Sequence, residues 1–225
     1  MIEKTREYVN ELLKNEGSGH GMDHVDRVFK LAMEFAENET CNKEIVALAA
    51  LLHDVDDYKL FGGNAEGELP NASRILNELD IENQTKTHVL NIIQNMGYSK
   101  YLKGIRPKTI EGMIVSDADM CDAIGASGIL RTHKYNIKHG GEFFNKNIWP
   151  VEEFSSKAYM ESQPSTAVCH MFEKMLKLKA IMMTEGGKKE AQKRHDLMVD
   201  FLRQLFDEEN VPEWQEYLDK YLSNF

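Results

Sequence analysis

Cysteine and proline are scarce in this chain, and it has neither membrane-length apolar runs nor sustained strand-like alternation. Its three cysteines, Cys41, Cys121 and Cys169, stand far apart and are odd in number. That suits a reducing compartment better than a disulfide framework, so a cytoplasmic location is expected. No run approaches the roughly 18 apolar residues that a membrane-spanning helix needs. The opening "MIEKTREYVNELLKNE" alternates charged with apolar residues, where a secretory signal would be continuously apolar, so no membrane partner is expected. Basic excess is missing too: 27 Lys and Arg against 37 Asp and Glu leave a formal net charge of −10. This excludes a broad surface for nucleic-acid polymers, whose phosphate backbones are held by clustered Lys and Arg. A small phosphorylated ligand stays within reach, because one bound cation can reverse the field inside a single pocket.

What the chain does have is helical period. With only five prolines in 225 residues, apolar positions recur at three- and four-residue steps almost throughout. The expected fold is all-α, a single-domain bundle over 1–225 of about nine or ten helices. The strongest segments run Ile2 to Lys14, Met22 to Glu37, Lys43 to Asp56, Asn71 to Leu79, Ile81 to Asn95 and Pro107 to Ile124. After a less regular stretch at 133–165, expected to be a lid or substrate loop, helices resume at Ala167 to Met183, Gly187 to Glu208 and Glu213 to Leu222.

Three of these helices carry polar groups on their apolar side. His53 continues the stripe of Ile45, Leu48, Ala49 and Leu52, with Asp54 beside it. A bare carboxylate in a dry core is expensive, whereas a metal ion offsets the cost directly. His24 lies along the apolar side of the second helix, and Arg27 follows one turn later. On the long helix, "EGMIVSDADMCDAIG" interrupts an apolar pattern with Asp117, Asp119 and Asp122. Imidazoles and carboxylates together make a mixed nitrogen and oxygen site for a divalent ion, with positions left for water and substrate.

The ordered set "HGMDHVDRV", "ALLHDVDDYK" and "IVSDADMCDAIGASGILR" resembles the H…HD…D signature of the HD-domain metal-dependent phosphohydrolases. The resemblance is greatest to the small single-domain bacterial branch that includes nucleotide pyrophosphohydrolases, and it continues through "HMFEKMLKLKAIMMTEGGKKEAQKRHDLM". It implies His24, His53, Asp54 and one aspartate of the later run as ligands of one divalent ion, Mn, Mg, Co, Ni or Fe. The family pattern falls on Asp119, while helix phase favours Asp117; with Asp119 as ligand, Asp117 becomes an outer partner or a cap. Asp57, at i+4 from His53, is the candidate for orienting or deprotonating the attacking water. Arg27 and Lys59 are candidate phosphate partners, and His20 a candidate outer partner of the site. The remaining histidines, His88, His133, His139, His170 and His195, read as structural or surface residues.

The resemblance therefore implies a phosphohydrolase acting on a small phosphorylated molecule, a nucleotide first, with release of pyrophosphate favoured and a homodimer left open. Two rival readings stay beside it. A di-iron oxygenase of the same fold needs two further histidine ligands, and a non-catalytic sensor would keep the metal for stability alone. After Arg131 the chain reads "RTHKYNIKHGGEFF" in place of a glycine-rich continuation, a departure that bears on substrate recognition.

Overall fold

The computed structural model describes residues 1–14, 16, 19–57, 68–151 and 166–224. Among them are eleven α-helices, one 3-10 helix and no strand, as the helical period implies. In chain order they are α1 Ile2–Leu13, α2 Met22–Ala36, α3 Lys43–Leu52, α4 Pro70–Glu78, α5 Asn83–Asn95, α6 Tyr98–Leu102, α7 Ile110–Asp122 and α8 Gly125–Lys138. After them come α9 Ala167–Glu173, the 3-10 helix Met175–Ile181, α10 Glu185–Glu208 and α11 Pro212–Leu222. Among the described residues no helix is long and apolar enough to cross a membrane. The chain divides into two compact units, Met1–Asp122 with Met182–Lys188, and Ala123–Ile181 with Lys189–Phe225.

In the first unit α2, α3 and α7 pack on one another. The reason lies in their composition. All eight residues from Ile45 to Leu52 in α3 are buried, so this helix has no solvent face and must sit centrally. It starts where the Asn42 side chain accepts from the Glu44 and Ile45 amides at 3.0 and 3.4 Å, a cap worth about 1 kcal/mol. The inner face of α2 runs His24, Val25, Val28, Leu31, Ala32, Phe35 and Ala36. Each fully buried aliphatic side chain contributes about 1.5–3 kcal/mol relative to exposure.

Helix α3 stops at Leu52, short of the Asp56 expected from its pattern, and 53–56 continue as turns. The physical reason is a competing donor: the His53 ring Nδ1–H donates to Ala50 O at 2.8 Å. Backbone bonds there tighten to three-residue steps, Val55 to Leu52 and Asp57 to Asp54. Asp56 ends this turn half-buried, and its two carboxylate oxygens accept from the Asn71 and Ala72 amides, each at 2.9 Å. That satisfies the first orphan donors of α4, behind Pro70.

The second unit centres on aromatic side chains. Trp214 is fully buried, stacks on Trp149 with centroids 4.2 Å apart and donates from its indole nitrogen to Lys146 O at 3.1 Å. Tyr217 packs edge-on to Phe172, and the Tyr221 hydroxyl donates to Phe172 O at 2.7 Å. Helix α8 escapes the sequence reading, and its glycines explain why. Gly125 has φ +75°, and a Cβ on Gly128 would fall 2.4 Å from Ala123 O, so these residues serve close backbone approach at the expense of helix propensity. Of the expected lid, 133–138 belong to α8 and 152–165 lie outside the described residues. The helix expected over Ala167 to Met183 is divided, with α9 ending at Glu173 and a 3-10 helix following.

Candidate functional site

Helix α2 delivers His24, the turn after α3 delivers His53 and Asp54, and α7 delivers Asp119, all within the first unit. His24 Nε2 lies 3.1 Å from His53 Nε2, 3.3 Å from Asp54 Oδ2 and 3.6 Å from Asp119 Oδ1. His53 Nε2 lies 3.5 Å from Asp54 Oδ1 and 3.9 Å from Asp119 Oδ1. His24, His53 and Asp119, up to 95 residues apart in the chain, thus bring donor atoms together, and His20, His24 and Asp54 form a second such group that shares His24. His24 is fully buried and the His53 side chain is 2% exposed, while Asp119 rises to 24% and His20 to 31%. The cluster is deep at its imidazoles and meets solvent on the Asp119 and His20 side.

The far nitrogens of the two imidazoles decide what the near ones can do. His24 Nδ1 lies 2.7 Å from Asp122 Oδ2 and His53 Nδ1 lies 2.8 Å from Ala50 O. A carboxylate and a carbonyl only accept, so in the neutral rings both Nδ1 atoms carry the proton and both Nε2 atoms present a lone pair. Those lone pairs face each other at 3.1 Å with carboxylate oxygens around them. Burial by itself would raise the Asp54 carboxyl, but the imidazoles of His53, His20 and His24, when they are protonated, outweigh it and hold it well below the usual carboxylate range. A spot lined only by acceptors is repulsive unless a proton or a metal ion sits in it. Ligand atoms about 2.1 Å from a divalent ion stand ~3.0–3.5 Å apart around it, close to the 3.1–3.6 Å separations that His24 Nε2 keeps from its three neighbours. The residues fit a borderline or fairly hard divalent ion.

The three aspartates of α7 have different places. Asp119 faces the imidazoles. Asp117 is 1% exposed and turns to the start of α10, accepting from Thr184 N at 2.7 Å, Thr184 Oγ1 at 2.8 Å and Met183 N at 2.9 Å. Burial raises its carboxyl against those donors. Gly187 comes so close that a Cβ there would stand 2.4 Å from Asp117 Oδ2. Asp122, fully buried, receives His24 Nδ1 and also Arg27, whose Nε and Nη2 donate to it at 2.7 and 3.1 Å. Arg27 Nη1 donates to Asp23 at 3.0 Å. The chain contains a signal for the Asp122 contacts: Arg27 follows His24 by three residues and Asp122 follows Asp119 by three, one helical turn in each case.

Of the other candidates, His20 is drawn to the cluster, its Nδ1 2.9 Å from Asp54 Oδ2 and its ring edge-on to that of His24. Asp57 lies beyond the turn after α3, so helical phase does not set its direction; its amide donates to Asp54 O at 3.1 Å. Lys59 lies outside the described residues. His88 belongs elsewhere, 3.1 Å from Thr109 Oγ1 and 3.7 Å from Glu111 Oε2.

Residues 21–124, which hold all four clustered side chains, match the HD domain family. The YpgQ protein of Bacillus subtilis is 32% identical over 216 residues, 94% of each chain. The chain belongs to the HD-domain family. Among solved structures, an HD-superfamily hydrolase from Bacillus thuringiensis is 37% identical, with a TM-score of 0.73 over 93% of this chain and 97% of that one. A Lactobacillus plantarum protein is 34% identical, with a TM-score of 0.80 over 93% and 96%. Bacillus subtilis YpgQ in complex with ADP superposes with a TM-score of 0.72 at 28% identity, over 95% and 100%. The chain thus has the fold of HD-superfamily hydrolases and a His and Asp cluster able to hold a metal ion.

Proposed function

We propose that this HD-domain protein is a metal-dependent phosphohydrolase whose substrate is a nucleotide and whose product includes pyrophosphate. The observation that carries the reading is the cluster of His24, His53, Asp54 and Asp119, whose nitrogen and oxygen atoms suit a divalent ion. The ADP held by YpgQ supports the nucleotide.

In this reading His24, His53, Asp54 and Asp119 hold one divalent ion, and His20 pins Asp54 through its Nδ1–H. The bound ion supplies Lewis-acid polarisation of a phosphoryl oxygen and makes water more acidic at neutral pH. Asp57 takes a proton from the attacking water. Arg27, with three of its donors on Asp122 and Asp23, still offers its charge to a phosphate, and Lys59 provides a second cation. The exposure of Asp119 and His20 relative to the buried imidazoles gives substrate oxygens an approach from that side.

Purified protein supplied in turn with Mn²⁺, Mg²⁺, Co²⁺ and Ni²⁺ is expected to hydrolyse members of a nucleoside triphosphate panel. Phosphate and pyrophosphate are to be measured separately. His53→Ala is expected to abolish turnover; turnover surviving in that variant, or none in any metal, overturns the reading.

A further inference from the structure

Asp122 is absent from the set of groups that could touch an ion or a substrate. It is nonetheless fully buried, and its carboxylate meets both the His24 ring and the Arg27 guanidinium. We infer that Asp122 is a positioning residue: one buried carboxylate fixes which nitrogen of His24 can bind a cation and where the Arg27 guanidinium stands.

The geometry leads there in steps. Asp122 Oδ1 accepts Arg27 Nε–H at 2.7 Å. Its Oδ2 accepts His24 Nδ1–H at 2.7 Å and Arg27 Nη2–H at 3.1 Å. The side-on fork from Arg27 meets the buried charge and leaves the lone pair of Oδ2 directed at His24. An ionised carboxylate has no proton to give, so His24 must donate from Nδ1 and turn its lone pair, on Nε2, toward His53, Asp54 and Asp119. The opposite tautomer would put a lone pair against Asp122 and an N–H among the acceptors, at the position a cation needs. Outer carboxylates that hold a ligating histidine act in this way.

Helix register makes the device doubly anchored. Helix α2 supplies His24 and, one turn on, Arg27; α7 supplies Asp119 and, one turn on, Asp122. The α2–α7 contact therefore has two rungs: His24 faces Asp119 across one, and Arg27 grips Asp122 across the next. Sliding either helix by a residue would break both.

The functional consequence rests on the metal-dependent reading above, but the direct test does not. Protein labelled with ¹⁵N-histidine is examined metal-free by two-bond ¹H–¹⁵N NMR at a pH where the imidazoles are neutral. In the natural sequence both His24 and His53 are expected to carry the proton on Nδ1; a proton on His24 Nε2 overturns the inference without any variant. In Asp122→Asn the amide oxygen goes to Arg27, which offers two donors, and the amide NH₂ faces His24. His24 is then expected to shift toward the Nε2–H tautomer, while His53, held by Ala50 O, keeps its own.

Titration of the same proteins with Mn²⁺ by calorimetry is expected to show a loss of about 10–100-fold in affinity for Asp122→Asn. An unchanged His24 tautomer with unchanged affinity overturns the role, and so does an equal disturbance of His53, which would mark a general structural effect. If the natural protein binds no divalent ion yet shows the expected tautomers, the metal-dependent function falls and the tautomer control by Asp122 stands.

Discussion

His24 Nε2 and His53 Nε2 stand 3.1 Å apart, each on a ring whose other nitrogen is already hydrogen-bonded to an acceptor. With both rings neutral, the two lone pairs face each other in a buried place that a divalent cation would suit.

The first expectation is therefore thermal. A divalent ion at 100 times its Kd should stabilise the protein by about 2.7 kcal/mol, raising Tm by roughly 5–10 °C for a chain of this size. Calorimetric scans with and without Mn²⁺, and with a chelator, measure it. His53→Ala and Asp54→Ala should each remove most of the shift; an equal shift in both variants would place the ion elsewhere.

Asp119 and Asp117 should separate cleanly. Asp119→Asn is expected to weaken Mn²⁺ binding at least tenfold with little change in urea stability. Asp117→Asn loses acceptors for the Met183 and Thr184 donors and should cost about 1–3 kcal/mol while binding Mn²⁺ nearly as before. Urea melts paired with isothermal titration decide between them, and the reverse pattern would make Asp117 the ligand.

Gly187→Ala should be severe for its size. The added methyl carbon would stand 2.4 Å from a carboxylate oxygen of Asp117, so the start of α10 or the Asp117 side chain must shift. Destabilisation of about 1–3 kcal/mol is expected, read as a lower urea midpoint, and a neutral result would mean that this segment moves freely.

His195, on α10, is 4% exposed, and its Nδ1 has no hydrogen-bond partner among the described residues. Burial first, and Lys179 second, push its imidazole below the ordinary 6.5. The unfolded chain then binds the proton more readily than the folded one. Stability from this residue is complete above pH 6.5 and declines as pH falls from 6.5 toward the folded value. In His195→Phe the slope of urea midpoint against pH over that window should flatten; an unchanged slope would remove His195 as its source.

The inward placement of the candidate site histidines was legible because helical spacing is local. His53 on the stripe of Leu48 and Leu52, and His24 on that of Val28 and Leu31, needed only a few neighbours to be recognised as inward-facing. The all-α class followed from the same period. Helix ends were less legible: α3 stops at Leu52 because a ring nitrogen takes the Ala50 carbonyl, a side-chain event that periodicity does not register. Helix α8 was missed because Gly125 and Gly128 are there for close packing, with Ala123 O under the latter, and packing overrides propensity.

By itself, then, the order of amino acids determined that this chain is helical, acidic and equipped with two histidines and several aspartates on inward faces. Only the tertiary structure decided which aspartate does what. Asp117, Asp119 and Asp122 lie within six residues of one helix, yet their partners are Thr184, the His24 and His53 pair, and His24 with Arg27. Those partners arrive from segments tens of residues away, and a carboxylate is committed by the donors that reach it, which no local pattern contains.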